Sequence, residues 1–143
     1  MHAAEARLKT KKNETQNILE HPLYKTCMNK IEESISNDNY STSFITHLNL
    51  NGEQENLDYV YSSEVLNYLQ NVLQYDVRFF SREIDSYKDK VSLDLYYFMR
   101  DWYFKWDILP EVTQFEHLIH LLKCEGFKNV TIDEIRIEIS WLR

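Results

Sequence analysis

The sequence predicts an α+β domain: two layers, an antiparallel sheet with helices on one face, and a helical N-terminus. Three patterns carry that prediction. Ile135, Ile137, Ile139 and Trp141 alternate with Arg136, Glu138 and Ser140, the period-two pattern of a half-buried strand. Leu23, Cys27, Ile31 and Ile35 recur every four residues, the spacing of one helix face. Asn51-Gly52 separates two strand-like runs, and both residues tolerate the positive φ of a type I′ hairpin turn.

The length of 143 residues fits one domain. It divides into a helical region, 1–36, and a sheet-and-helix core, 40–143. Residues 3–19 are helix-compatible but polar nearly all round, with Leu8, Ile18 and Leu19 as the main apolar side chains. Such a helix is marginal alone. It docks through Leu8 and Ile18, frays, or packs in an oligomer. His21-Pro22 breaks or restarts it, because proline suits a first turn and not an interior. The next helix spans 22–36 and ends at the polar run 36–41.

A two-residue loop at Asn51-Gly52 pairs Leu50 with Glu53, Leu48 with Glu55, Thr46 with Leu57 and Phe44 with Tyr59. Phe44, Leu48, Leu57, Tyr59 and Tyr61 then share one face. Ser62 is the expected N-cap of the following helix, whose stripe is Val65, Leu66, Leu69, Val72 and Leu73. Residues 75–84 read as a strand with Val77 and Phe79 inward. A polar turn over 85–90 leads to a further strand, 91–99, with Val91, Leu93, Leu95 and Tyr97 on one face. A helical turn is the alternative for its end, since Phe98, Trp102 and Trp106 lie four apart. Pro110 stops this segment. A helix over 112–124 has Phe115, Leu118, Ile119, Leu121 and Leu122 in its core and Gly126 as its stop. A hairpin closes the chain: a strand over 129–132, a turn at Asp133-Glu134, and the Ile135–Trp141 alternation. Residues 64–79 and 116–132 superpose as helix, turn and strand about 52 residues apart, a faint βαββ repeat.

Composition narrows function. The chain holds 23 acidic and 16 basic residues, for a net charge of −7, which disfavours a general electrostatic grip on nucleic acid. It has only two glycines, Gly52 and Gly126. Phosphate-cradling loops and nucleophile elbows need several close together, so P-loop, dinucleotide-fold and α/β-hydrolase chemistry have almost no room here. No apolar run approaches the ~20 residues of a membrane span. The polar start of the chain lacks the apolar stretch of a signal peptide. Two cysteines among apolar neighbours fit a reducing compartment. A cytoplasmic protein is expected.

His117, His120 and Cys124 fall on one helix with Glu116 nearby, the sequence's closest approach to a metal cluster. His117 follows a polar residue and reads as exposed, Cys124 fits the buried stripe, and no second ligand pair has metal spacing. No metal, cofactor or catalytic residue is expected.

Residues 96–107, YYFMRDWYFKWD, hold seven aromatics with Arg100 and Lys105 among them. The segment has three readings: core between sheet and helices, a protein interface with Trp, Tyr and Arg anchors, or a pocket wall where a ring stacks on a base and a cation meets phosphate.

Both ends of the chain carry a further pattern. Residues 6–13, ARLKTKKN, follow A-R-x-x-T-x-x-N. A helix with Ile31-Glu32, the run 121–130 (LLKCEGFKNV) and the terminal IEISW at 137–141 come after it. This resembles small, mostly uncharacterised bacteriophage-encoded accessory proteins. The middle, about 50–110, departs from them as an inserted or repeated unit. The resemblance implies no catalytic residues. It implies a phage accessory protein in the host cytoplasm, acting by binding.

The functional expectation is therefore a non-enzymatic binding protein of counter-defence or host-takeover type. It inhibits a host protein or sequesters a nucleotide signal. The expected contact residues are Arg100, Trp102, Tyr103, Lys105 and Trp106, with Arg78 and Arg82 as helpers on the neighbouring strand. The alternatives are a structural or assembly protein forming a homo-oligomer and an enzyme of unrecognised type.

Overall fold

The alternating strand near the C-terminus is the middle of the sheet. The computed structural model describes residues 2–48, 61–104 and 109–142, with 102–104 described by backbone alone. Its elements are α1 (Ala3–Glu20), α2 (Pro22–Ser36), β1 (Ser41–His47), α3 (Ser63–Asn67) running into a π-helical turn (Tyr68–Val72), β2 (Asp76–Phe80), α4 (Arg82–Tyr87), α5 (Leu93–Phe104), α6 (Val112–Cys124) and β3 (Glu134–Ser140). The fold is α+β. The sheet has the order β1-β3-β2, and both pairings are antiparallel.

Register puts the apolar positions together. Phe44 lies opposite Ile137, and Ile137 opposite Phe79; Thr42, Ile139 and Val77 form the next such row. Ile135, Ile137 and Ile139 are fully buried. Each contributes about 1.5–3 kcal/mol by leaving water. Helices cover this face: α2 packs on β1 and α5 on β2. From α6, the Phe115 ring meets Phe79 at 6.2 Å. The other face carries Ile45, Arg136 and Phe80 in one row and Ser43, Glu138 and Arg78 in the next.

The first two helices follow the sequence. His21 caps α2, its Nδ1 accepting from the Leu23 amide at 3.0 Å, and Pro22 opens the first turn. Leu23, Cys27 and Ile31 are buried, whereas Ile35, the last of the expected stripe, is 55 % exposed in the final turn. Helix α1 has no buried residue; Ile18 packs partly on the core and Leu8 is 70 % exposed. Docking through Leu8 is therefore not observed.

Several expected elements change. The Asn51-Gly52 turn lies outside the described residues. The register expected around it puts Tyr61 opposite Thr42, but the Tyr61 amide instead donates to the His47 carbonyl at 2.8 Å. The closing hairpin is absent, because 129–132 is not a strand. Strand β3 pairs instead with β1 and β2, which bury its isoleucines from both sides. With no strand at 128–132, the 52-residue repeat also fails: β2 has no counterpart at that offset. Val72 and Leu73 are exposed, not buried with Val65, Leu66 and Leu69. The π-turn, closed by the Leu73 amide on the Tyr68 carbonyl, widens the helix and rotates later residues out of phase.

The largest change is at 91–99, which is not a strand. Ser92 opens α5, its Oγ accepting from the Leu95 amide at 3.4 Å. Glu125, which ends α6, holds Ser92 by accepting from both its amide and its hydroxyl. Those bonds lower the Glu125 carboxyl below its ordinary value. Leu95 and Met99 are buried with Phe98 partly covered, a helical spacing. Leu93 and Tyr97, expected inward, are 65 % and 46 % exposed. Residues 82–84 also leave the strand pattern, because α4 begins at Arg82 and buries Ile84.

Gly126 stops α6 as expected, with φ +100°. Nothing lies within 4 Å of a Cβ placed there. The dihedral requires glycine; the space does not.

Candidate functional site

Two helices that the sequence pattern read as strand and turn build a cleft beside the sheet. On α4 and its C-cap, Arg82, Asp85 and Lys88 recur every three residues and share a face. On α5, Tyr96, Met99 and Arg100 share a face for the same reason. The two faces meet beyond the end of β2 around a cavity of about 300 Å³. Phe80 and Ser81 close it on the strand side. That volume lies at the lower bound for small-ligand sites.

The walls are apolar and aromatic, from Phe80, Tyr96 and Met99. The rim is cationic: Arg82, Lys88 and Arg100 stand against one carboxylate, Asp85, for a formal charge of +2. None of the three cations lies within 4.0 Å of a carboxylate among the described residues. The Arg100 guanidinium sits 4.9 Å over the Tyr97 ring, and Tyr97 meets Tyr96 edge-on at 5.7 Å. This stack restrains Arg100 at the mouth without neutralising it. Ser81 is buried, and its hydroxyl donates to Glu83 at 2.9 Å.

The expected contact residues divide. Arg82 and Arg100 line the cleft together. Arg82 stands on a helix, not on the neighbouring strand, because the chain turns at Ser81. Arg78 lies in β2 on the open face of the sheet, opposite Glu138, and is not in the cleft wall. Trp102 and Tyr103 belong to α5, but their side chains lie outside the described residues, as do Lys105 and Trp106 altogether. Residue-by-residue reading missed Phe80, Lys88 and Tyr96. A helical period applied to 92–104 groups Tyr96 with Arg100.

The His-Cys cluster does not gather. His117 and Cys124 are both exposed, so Cys124 is not in the buried stripe. Cys124 Sγ lies 3.6 Å from His120 Nε2. Among the described residues, no three His, Cys, Asp or Glu side chains converge as a metal site. Cys27 is core, its thiol pushed up to about 12 by burial. No helix of the described residues is long and apolar enough to cross a membrane.

Compared with protein-family models, with curated proteins and with solved structures, the chain matches none.

Proposed function

We propose that the chain is a non-enzymatic binding protein that captures a small phosphate-bearing aromatic molecule, a nucleotide signal, in the cleft between β2, α4 and α5. The setting proposed is the phage accessory role that its two ends resemble, with sequestration as the mode of action. One observation supports the reading above others: three cations with no carboxylate partner among the described residues rim an aromatic-walled cavity of about 300 Å³. A phosphate takes charge-assisted hydrogen bonds from such a rim. A base has Phe80 and Tyr96 to stack on.

Calorimetric titration with a panel of nucleoside phosphates tests the proposal. A hydrogen bond to a charged group contributes about 1.5–3 kcal/mol. Lys88→Ala and Arg100→Ala are therefore expected to weaken binding at least about tenfold each, with melting temperature retained because Arg100 is exposed and Lys88 only partly buried. Unchanged affinity in both variants contradicts the proposal.

A second reading rests on α5. Leu93 and Tyr97 are exposed one helical turn apart, and Arg100 is stacked on Tyr97. That is an anchor pattern for a host-protein partner. Leu93 is not a cleft residue, so Leu93→Ser weakens a protein partner and leaves nucleotide binding intact.

A further inference from the structure

The cleft has a neighbour of opposite character. On the open face of the sheet, Ile45, Arg136 and Phe80 lie side by side across β1, β3 and β2. They floor a second concavity of about 350 Å³. Glu83, Glu134 and Glu138 rim it, against Arg82 and Arg136, so its formal charge is −1 where the cleft's is +2. Phe80 and Arg82 belong to both hollows. The hydrogen bond from Ser81, a cleft residue, to Glu83, a groove residue, crosses the boundary.

We infer that the two hollows form one bipartite site for a nucleoside phosphate whose base carries an exocyclic amino group. This deepens the proposed function and rests on it. The phosphate lies at Arg82, Lys88 and Arg100. The base lies over Phe80 toward the groove, and its amino group donates to the carboxylates of Glu134 and Glu138. The two ends of such a ligand match the two hollows, the phosphate by charge and the amino group by hydrogen-bond donation. A carboxylate accepts hydrogen bonds and offers no donor. An amino-bearing base (adenine, cytosine) gives it a donor, whereas a base with a carbonyl at that position turns an acceptor toward it. Size agrees: each hollow alone is at the small end for a ligand site, and together they reach its middle. Glu138 is half-buried and Glu134 exposed, so a carbonyl base set against them loses the hydrogen bond that an amino base makes.

Calorimetry with five probes tests this: AMP and CMP, their carbonyl counterparts IMP and UMP, and ribose 5-phosphate. AMP and CMP are expected to bind at least about tenfold more tightly than IMP and UMP, the discrimination of about one charged hydrogen bond. In the double variant Glu134→Gln, Glu138→Gln that preference is expected to fall several-fold, while ribose 5-phosphate binds as to the wild type. Lys88→Ala is expected to weaken all five probes alike. Equal binding of amino and carbonyl bases overturns the inference and leaves the cleft reading standing. Binding of none of the five overturns both. Loss of ribose 5-phosphate binding in the double glutamine variant also contradicts the inference, since it places the carboxylates in general support of the fold.

Discussion

At the scale of single residues, the structure sets charged and polar groups at a few junctions where a proton or a hydroxyl decides local stability. His21 accepts the Leu23 amide through Nδ1, which only a neutral imidazole can do. Burial lowers its pKa from the ordinary 6.5, opposed by the nearby Glu64 carboxylate. The unfolded chain therefore takes up a proton before the folded one does. The stabilisation is complete above about 6.5 and is lost as pH falls through the folded value. Chemical denaturation between pH 7.5 and 5 is expected to show that loss, and His21→Asn, which keeps a capping side chain, is expected to remove it. Tyr61 is a second such junction. Its hydroxyl donates to the Pro110 carbonyl at 2.5 Å inside the core, and Ser63 beside it donates to Glu111 at 2.7 Å. Burial, reinforced by Glu111, raises the Tyr61 phenol far above its ordinary value. It stays protonated across the working range and serves only as a donor to Pro110. Tyr61→Phe leaves that carbonyl unsatisfied, an expected cost of about 1–3 kcal/mol by denaturant titration.

At the scale of elements, what the sequence made legible and what it hid have the same origin. Helix α2, helix α6 and strand β3 each repeat one period over most of their length, and their buried residues lie where it places them; the exceptions, Ile35 and Cys124, are exposed at the helix ends. Residues 91–99 satisfy two periods at once. Leu93, Leu95 and Tyr97 suit a strand, while Leu95, Phe98 and Met99 suit a helix. The decision comes from outside the segment, from Ser92 capping α5 and Glu125 of α6 holding Ser92. That contact joins residues 33 apart and leaves no trace in local alternation. The π-turn after α3 is similarly invisible, because one extra residue per turn shifts the phase without changing composition. Leu93 separates the two readings of 91–99. Leu93→Ser is expected to change stability by no more than about 0.5 kcal/mol, as for an exposed position. A loss of about 2–5 kcal/mol would be the mark of a buried leucine and hence of the strand.

At the scale of the whole molecule, the described helices cover one face of the sheet and leave the other exposed, and the proposed site lies where the end of β2 lets both sides communicate. This explains how much of the site was legible. Arg82 and Arg100 were recognisable as cations near aromatics. Lys88 and Phe80 were not, because α4 brings them together across a turn that sequence alternation reads as strand and loop. Helix α1 stands apart from this architecture. With no buried residue in its 18 positions, its removal is expected to lower stability by less than about 1 kcal/mol, the partial burial of Ile18 being its main apolar contribution, and to leave nucleotide titrations unchanged. The central claim is that the cleft captures a phosphate-bearing signal. Native mass spectrometry tests it most directly, on protein purified from bacteria with their defence signalling active. The account predicts an added mass of nucleotide size on the wild type and its loss from the Lys88→Ala, Arg100→Ala double variant. A wild-type protein that emerges without added mass and gains none from a nucleotide panel contradicts the account, as does a double variant that retains the same mass.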